Sequence, residues 1–396
     1  MLFVLNKHTG LSPYSHEFVI GGIDPQLLSG FVTAMGSFLA EVAGSEETGW
    51  KTVYGSDTTF IVEVNDWVVG VLAVARETTE LRSRLRRVVR EFKQSFEVLK
   101  ESDGIDGGLF AEFDQYVMKT FTLDRVAPQS LVMRRNDWEG ALDRMESSGN
   151  QTLARDLVSK LETSITVSNL TEEYSLSLKE VRDSISEACW YNAVHVKYVP
   201  TERDILEISE RALSTLLDPV NPLGLSTVTI AVVGRLDGRT TLEPITSELD
   251  QEERERVLKE LGDLILSGHV HRISMERESV LVNECILTRF ARACSEVLGA
   301  EHMQHTARRI LTSGIAKYPW LSRVRVHVDL SLQSVLDESM TPRDFDLLAE
   351  ALEQFLNDLV ETLSMEMERN DVIDLLKYAR WSCQEDWIPG LTEAVL

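Results

Sequence analysis

The chain has 396 residues, too many for one ordinary hydrophobic core, so we expect two to four domains of roughly 100–150 residues. It carries 64 acidic against 40 basic residues, a net charge of −24. This balance opposes non-specific binding to nucleic acid, because contacts with phosphate need Lys and Arg. The four cysteines form no C-x-x-C pair, which favours reduced thiols in a cytoplasmic protein. They are Cys189, Cys285, Cys294 and Cys383. The sequence has no uninterrupted run of ~20 apolar residues, so no transmembrane helix is expected.

The first 121 residues predict two strands, a helix, three strands and two helices, in that order. Apolar runs and alternation place the strands at residues 2–5, 14–20, 50–54, 59–64 and 67–75. A turn at Asn65-Asp66 separates the last two strands. The helices have one apolar face each and are expected from Pro25 to a stop at Gly44, over residues 79–99, and over residues 109–117.

This order resembles the longin domain of the roadblock/longin superfamily. The residues that carry the resemblance are Leu2-Phe3-Val4-Leu5, Gly10-Leu11, Leu27-Leu28-Ser29-Gly30-Phe31 and Asp66-Trp67-Val68-Val69. The resemblance implies a domain that docks small Ras-like GTPases, membrane-trafficking components or another longin/roadblock-type chain. It carries no catalytic residues to this sequence.

The middle of the chain indicates a unit used twice, at an offset of 76 residues. The segment 192–196 is similar to 268–272, and Val181 aligns with Val257. Each copy predicts a helix, a short helix, a longer helix and a two-stranded wing, with wing strands at 195–198 and 204–208 in the first copy and at 269–273 and 279–282 in the second. That order resembles a winged helix.

Winged helices commonly bind DNA, but here the third helix of each copy is acidic. Residues 177–187 and 250–260 both carry net negative charge, whereas a recognition helix must neutralise phosphates. The better analogy is a tandem winged-helix scaffold that packs on other proteins. A transcription regulator with an N-terminal sensory domain remains the alternative.

The sequence thus predicts an α+β multidomain protein. It divides into a longin-like domain at 1–121 with a five-stranded antiparallel or mixed sheet, a linker and helix at 122–149, winged-helix-like modules at 150–217 and 224–285, and a mainly helical domain at 286–396. Thr341 and Pro342 are expected to start a long helix in the last domain.

The candidate binding residues form a basic stripe on the helix expected over 79–99. In a chain of charge −24 they invert the local sign, which suits an acidic partner or an anionic membrane surface. The competing interpretation is a solvated face braced by pairs such as Glu80–Arg84. The stripe comprises Arg82, Arg86, Arg87, Arg90 and Lys93.

Two pairs of histidines are candidates for metal half-sites. His269 and His271 share one face of a strand, and His302 and His305 share one side of a helix, but neither pair has a third ligand nearby in sequence. Ordinary surface positions are favoured for both. No motif for a nucleotide or another cofactor is found, and the Gly-rich segment 234–240 is interpreted as a turn.

From these features the sequence predicts a non-enzymatic, cytoplasmic adaptor or regulator. The expected partner is a small Ras-like GTPase or a longin/roadblock-type protein, and homo- or hetero-dimers and peripheral membrane contact are compatible with the pattern. Nucleic acid is disfavoured as a ligand.

Overall fold

The computed structural model describes residues 1–9, 11–18, 49–54, 58–100, 110–145, 151–209, 212–216, 218–337 and 340–387. The chain forms two compact units, Met1–Arg272 and Ile273–Leu396. The fold class is α+β, as predicted. Within the described ranges, no helix is long and apolar enough to cross a membrane.

The first unit opens with a five-stranded sheet in which every pair of neighbouring strands is antiparallel. The strand order is β2-β1-β5-β4-β3. The strands are β1 (Leu2–Asn6), β2 (Tyr14–His16), β3 (Gly49–Tyr54), β4 (Thr59–Asn65) and β5 (Val68–Val74). The predicted five-stranded sheet is therefore confirmed, and of the two alternatives it is antiparallel.

Two helices cover one face of this sheet, α1 (Thr79–Ser95) and α2 (Ala111–Phe121). Thr78 starts α1, since its hydroxyl accepts a hydrogen bond from the Leu81 N–H at 3.2 Å. The helices and the sheet enclose one apolar core, in which Trp67 and Phe92 are fully buried. Gly70 on β5 permits this packing, because a Cβ there would collide with Val89 of α1.

Two details of the predicted domain differ in the structure. The second strand was expected to run to residue 20, but β2 ends at His16, which lies opposite Leu2, the first residue of β1. Residues after His16 therefore have no residue of β1 opposite them with which to form strand hydrogen bonds. The turn between β4 and β5 consists of Asp66 and Trp67, with Asp66 at φ 53°, one residue later than expected. The helix predicted from Pro25 to Gly44 lies outside the described residues.

Two segments of the first unit, residues 131–197 and 205–272, share one order of elements, except that one two-residue strand of the first has no counterpart among the described strands of the second. We call them repeat 1 and repeat 2. Repeat 1 consists of β6 (Leu131–Arg134), α3 (Trp138–Asp143), α4 (Gln151–Ser159), β7 (Ile165–Thr166), α5 (Val167–Tyr174), α6 (Leu178–Trp190) and β8 (Val194–Lys197). Repeat 2 consists of β9 (Leu206–Ile208), α7 (Leu213–Leu216), α8 (Thr227–Val233), α9 (Leu242–Thr246), α10 (Gln251–Leu266) and β10 (Val270–Arg272).

The backbone at the end of the longest helix is the same in both repeats. Asn192 and Gly268, which are 76 residues apart, adopt φ values of 64° and 70°. After each, the next N–H bonds back to a helix carbonyl, from Ala193 to Ala188 at 2.8 Å and from His269 to Leu264 at 2.9 Å. This is the left-handed helix stop that favours Gly or Asn, and it fixes the direction of the following strand.

The predicted wings are wrong in both copies. Strand β8 pairs with β6, which lies in the segment expected to be a linker, and β9 pairs with β10 of repeat 2. Residues 279–282 are not a strand but part of α11 (Met275–Leu298), which begins at Ser274 because the serine hydroxyl accepts from the Arg277 N–H. The sequence predicts wings made of strands that are adjacent along the chain. In the structure each pairing strand lies far from its partner in sequence. Val132 of β6 and Leu206 of β9 complete the hydrophobic cores of repeat 1 and repeat 2.

The second unit, Ile273–Leu396, is mainly helical. Its helices are α11, α12 (Ala300–Gly314), α13 (Pro342–Leu363) and α14 (Arg369–Trp387), with a hairpin of β11 (Val324–Val326) and β12 (Leu332–Ser334). Thr341 and Pro342 start α13 as expected, with a capping box between Thr341 and Asp344.

Candidate functional site

The basic stripe predicted from the sequence lies on α1, where acids from the neighbouring sheet segments approach several of its members. Arg82 pairs with Glu77, Arg86 approaches Glu63 at 4.0 Å, and Lys93 approaches Asp66 at 3.5 Å. The acids come from β4, the β4–β5 turn and the segment after β5. The local inversion of charge is therefore smaller than the sequence implies.

Arg90 is the exposed member of the stripe, while Arg82, Arg86, Arg87 and Lys93 are partly buried. The expected brace Glu80–Arg84 forms at 2.5 Å, but Arg84 is buried and also donates to the Thr120 carbonyl at 2.6 Å. It is thus a packing residue between α1 and α2. Arg90 is therefore the member of the stripe that is most accessible to a partner.

The histidines 269 and 271 lie on one face of the repeat 2 sheet, as predicted, but they are not on the surface. Both are buried against the start of α1. His271 Nε2 lies 2.9 Å from Glu207 Oε1 and 3.4 Å from Thr79 Oγ1, and His269 Nε2 lies 3.5 Å from Arg76 Nη1. The surface prediction is wrong because β10 faces the sheet domain instead of solvent.

The other histidine pair stays on an exposed face of α12, as favoured. His302 Nε2 lies 2.6 Å from Glu366 Oε2, and His305 is exposed. Within the parts of the chain that the structure describes, no group of three His, Cys, Asp or Glu side chains is arranged to hold a metal ion.

Trp190, the last residue of α6, joins repeat 1 to the sheet domain. It is 6% exposed and belongs to the core formed by β1, β5, α1 and α2. Its indole stacks on the ring of His16, with centroids 3.5 Å apart and planes at 10°. Burial lowers the pKa of His16 to about 4, so the stacked imidazole is neutral at neutral pH.

Glu80, in the first turn of α1, joins the sheet domain to repeat 2. Its carboxylate accepts from Arg84 at 2.5 Å and from Arg272 of β10 at 3.0 Å. Burial alone would raise the pKa of Glu80, but Arg84, Arg272 and Arg125 together lower it to about 2. The carboxylate therefore stays ionised and holds arginines from two elements.

The guanidinium of Arg272 is also held by the segment that links the two repeats. It lies over the Tyr198 ring at 4.8 Å, and the Tyr198 hydroxyl donates to Asp204 at 2.7 Å. Burial and the Asp204 carboxylate raise the pKa of Tyr198. The sheet domain and both repeats are in this way parts of one unit, through an aromatic contact at repeat 1 and a charged one at repeat 2.

Sequence reasoning missed both junctions. The sequence indicates no role for Trp190, and it predicts Glu80 only as a brace on the helix surface. One signal was available: Trp190 aligns with Leu266, which is 49% exposed in the structure, so a large aromatic at that place has a role outside its own repeat.

Comparison with models of protein families gives no match. Comparison with curated proteins gives no match either.

Proposed function

We propose that this protein is a non-enzymatic adaptor or regulator. Its N-terminal domain, of longin type, binds a small Ras-like GTPase or another longin/roadblock-type chain, and the two winged-helix-like repeats extend the scaffold. The observation that carries the proposal is the five-stranded antiparallel sheet with α1 and α2 on one face, an architecture that offers broad surfaces.

The junctions of the first unit support a scaffold. A domain that only senses a signal and relays it needs freedom to move, whereas Trp190 and Glu80 fix the sheet domain to both repeats. A partner bound to one of these parts is therefore held at a defined position relative to the others. Specificity in such docking comes from charge complementarity and pre-formed shape.

The surfaces of α6 and α10 disfavour DNA as the ligand of the repeats. On α10 the residues Glu252 and Glu255 are exposed in the first turns, and on α6 Glu180 is exposed. Each would repel the phosphate backbone. A protein surface is the better fit for these helices.

Reversing the charge of Arg90 tests the stripe as the docking site. For Arg90→Glu we expect GTPase or longin-chain binding to weaken by about tenfold, because an exposed cation at a docking surface contributes electrostatic attraction that the variant turns into repulsion. The measurement is biolayer interferometry of the full chain against purified Ras-like GTPases in both nucleotide states and against roadblock-type chains.

The matched control is Lys119→Glu, the same change of charge at an exposed position of α2. It should leave the affinity within a factor of two or so of wild type. Equal affinities for wild type and the Arg90 variant would remove the stripe from the proposal, and no binding to any member of either class would remove the proposal itself.

A further inference from the structure

The strand ladder between β6 and β7 ends early and leaves a gap at one edge of repeat 1. The pairing joins Leu131 to Thr166 and Val132 to Ile165 and goes no further, whereas the pairing of β6 with β8 continues to Arg134. Among the strands that the structure describes, β6 therefore has a neighbour on one side only after Val132.

The backbone of Arg134 faces this gap. The Arg135 N–H donates to the Ala193 carbonyl at 3.0 Å, on the side of β8. Because the backbone groups of successive strand residues point to opposite sides, the N–H and C=O of Arg134 point away from β8. In a continued ladder they would pair with Thr163, and in the described part of the chain that pairing is absent. The gap therefore offers one backbone donor and one backbone acceptor.

Two opposite charges belong to the two sides of the gap. If the register of β6 and β7 continued, Arg135 would stand opposite Glu162, and Cβ atoms about 4.5–5.5 Å apart would allow an ion pair. The ladder ends before that point, and among the residues that the structure describes neither side chain forms an ion pair. A cation and an anion are thus both left for a ligand that enters between them.

Arg135 and Glu162 line one cleft, which also has an apolar wall. Its volume of about 420 Å³ lies within the range of sites for small molecules. Met133, Trp138 and Leu161 line it as well, and Leu161 is only 4% exposed, so an apolar group in the cleft would lie against the core of repeat 1. The cleft thus combines a cation, an anion and apolar surface in a small volume.

Arg134 is a second cation at the cleft, but its guanidinium already has partners. It donates to the Ser159 carbonyl at 2.8 Å and lies 5.4 Å from the centre of the Trp138 indole ring. These contacts hold the Arg134 side chain on the protein surface. Arg135 is therefore the guanidinium of this cleft that is left to bind the anionic group of a ligand.

We propose that this cleft binds a free α-amino acid with an apolar side chain. Arg135 donates charge-assisted hydrogen bonds to the carboxylate of the ligand, Glu162 accepts from its ammonium group, and its side chain lies against Leu161 and Met133. A zwitterion fits better than a simple ion, because an anion would be repelled by Glu162 and a cation by Arg135. This site goes beyond the proposed docking function and is independent of the stripe on α1.

Titration of the full chain with leucine, followed by saturation-transfer NMR, tests the site. Three related ligands each lack one of the recognised groups: leucinamide lacks the carboxylate, N-acetyl-leucine lacks the ammonium group, and glycine lacks the apolar side chain. We expect each of the three to bind about tenfold more weakly than leucine or worse, because each loses one set of contacts with the cleft.

Two variants assign the charges of the ligand to their partners. Arg135→Gln and Glu162→Gln should each weaken leucine binding by about tenfold. Arg135→Gln should not weaken leucinamide further, and Glu162→Gln should not weaken N-acetyl-leucine further, because those ligands already lack the group concerned. The matched controls are Arg155→Gln on α4 and Glu172→Gln on α5, exposed positions of the same repeat that should bind leucine as wild type does. Circular dichroism verifies that each variant is folded.

Saturable binding of leucine that both variants weaken, each in the way that matches its blocked ligand, supports the proposal. No saturable binding at millimolar concentrations, equal affinity for leucine and its two blocked forms, or binding that both variants retain would overturn it. Equal affinity for glycine and leucine would contradict the apolar wall as part of the site. None of these results depends on whether a GTPase or a longin-type chain binds to α1.

Discussion

Replacing Trp190 by alanine should destabilise the first unit by about 3–5 kcal/mol, the range found for removing a large buried aromatic. The indole is 6% exposed and fills the core of a domain to which it does not belong in sequence, so its loss opens a cavity and also removes the stacking on His16. The measurement is scanning calorimetry of the full chain, in which the transition of the first unit should move to a markedly lower temperature.

Trp381→Ala is the matched control. This tryptophan lies on α14 and is 54% exposed, so the same change in composition should cost less than about 1 kcal/mol. A Trp190 variant as stable as the control would show that repeat 1 does not complete the core of the sheet domain. The scaffold account would then lose one of its two junctions.

Replacing Glu80 by glutamine should cost about 3 kcal/mol at neutral pH. A carboxyl pKa of about 2 in the folded chain, against an ordinary 4.5, corresponds to a free energy of that size. The variant leaves Arg84 and Arg272 without the charge that holds them together. Denaturant unfolding of the first unit, followed by intrinsic fluorescence, measures the loss.

The pH dependence of that difference has a definite sign. Because the folded pKa of Glu80 lies below the unfolded one, its contribution to stability is fully present above about pH 5. It falls as the pH drops from about 4.5 and is lost below about pH 2, where the carboxyl is protonated in both states. The stability gap between wild type and Glu80→Gln should therefore close on acidification.

Glu252→Gln is the control for this prediction. The Glu252 side chain is 87% exposed and pairs with Arg256 along the surface of α10, a contact worth about 0.5 kcal/mol or less. A Glu80 variant that behaves like this control at every pH would mean that the carboxylate does not hold the sheet domain to repeat 2.

Elements with strong local signals were predictable from the sequence. Alternation and apolar runs located the five strands of the sheet domain, and Thr341-Pro342 located the start of α13, because helix caps and strand periodicity depend on neighbouring residues. The 76-residue offset was visible for the same reason, since Asn192 and Gly268 stop their helices in one way.

Pairing between distant segments was not predictable. Strand β6 lies about 60 residues before its partner β8 in sequence. Residues 279–282 contain three consecutive apolar residues, which suggested a strand, although they belong to α11. A single sequence shows which residues are apolar, but it does not show which segment each of them packs against in the fold. The two junctions depend on contacts between residues that are distant in sequence, namely Trp190 with His16 and Glu80 with Arg272.

The candidate stripe shows the same limit for charge. Arg86 and Lys93 stand out as basic on their own helix, and only the fold reveals that Glu63 and Asp66 approach them from the sheet.

The most direct test of the scaffold account presents the full chain, on one sensor at low salt, with Ras-like GTPases and roadblock-type chains in one series and with short duplex DNA in the other. We expect saturable binding to a protein of the first series, and DNA responses no larger than those of an acidic control protein. Tight binding to DNA that weakens steeply as salt rises, with no response to any protein, would contradict the account and favour a regulator of transcription.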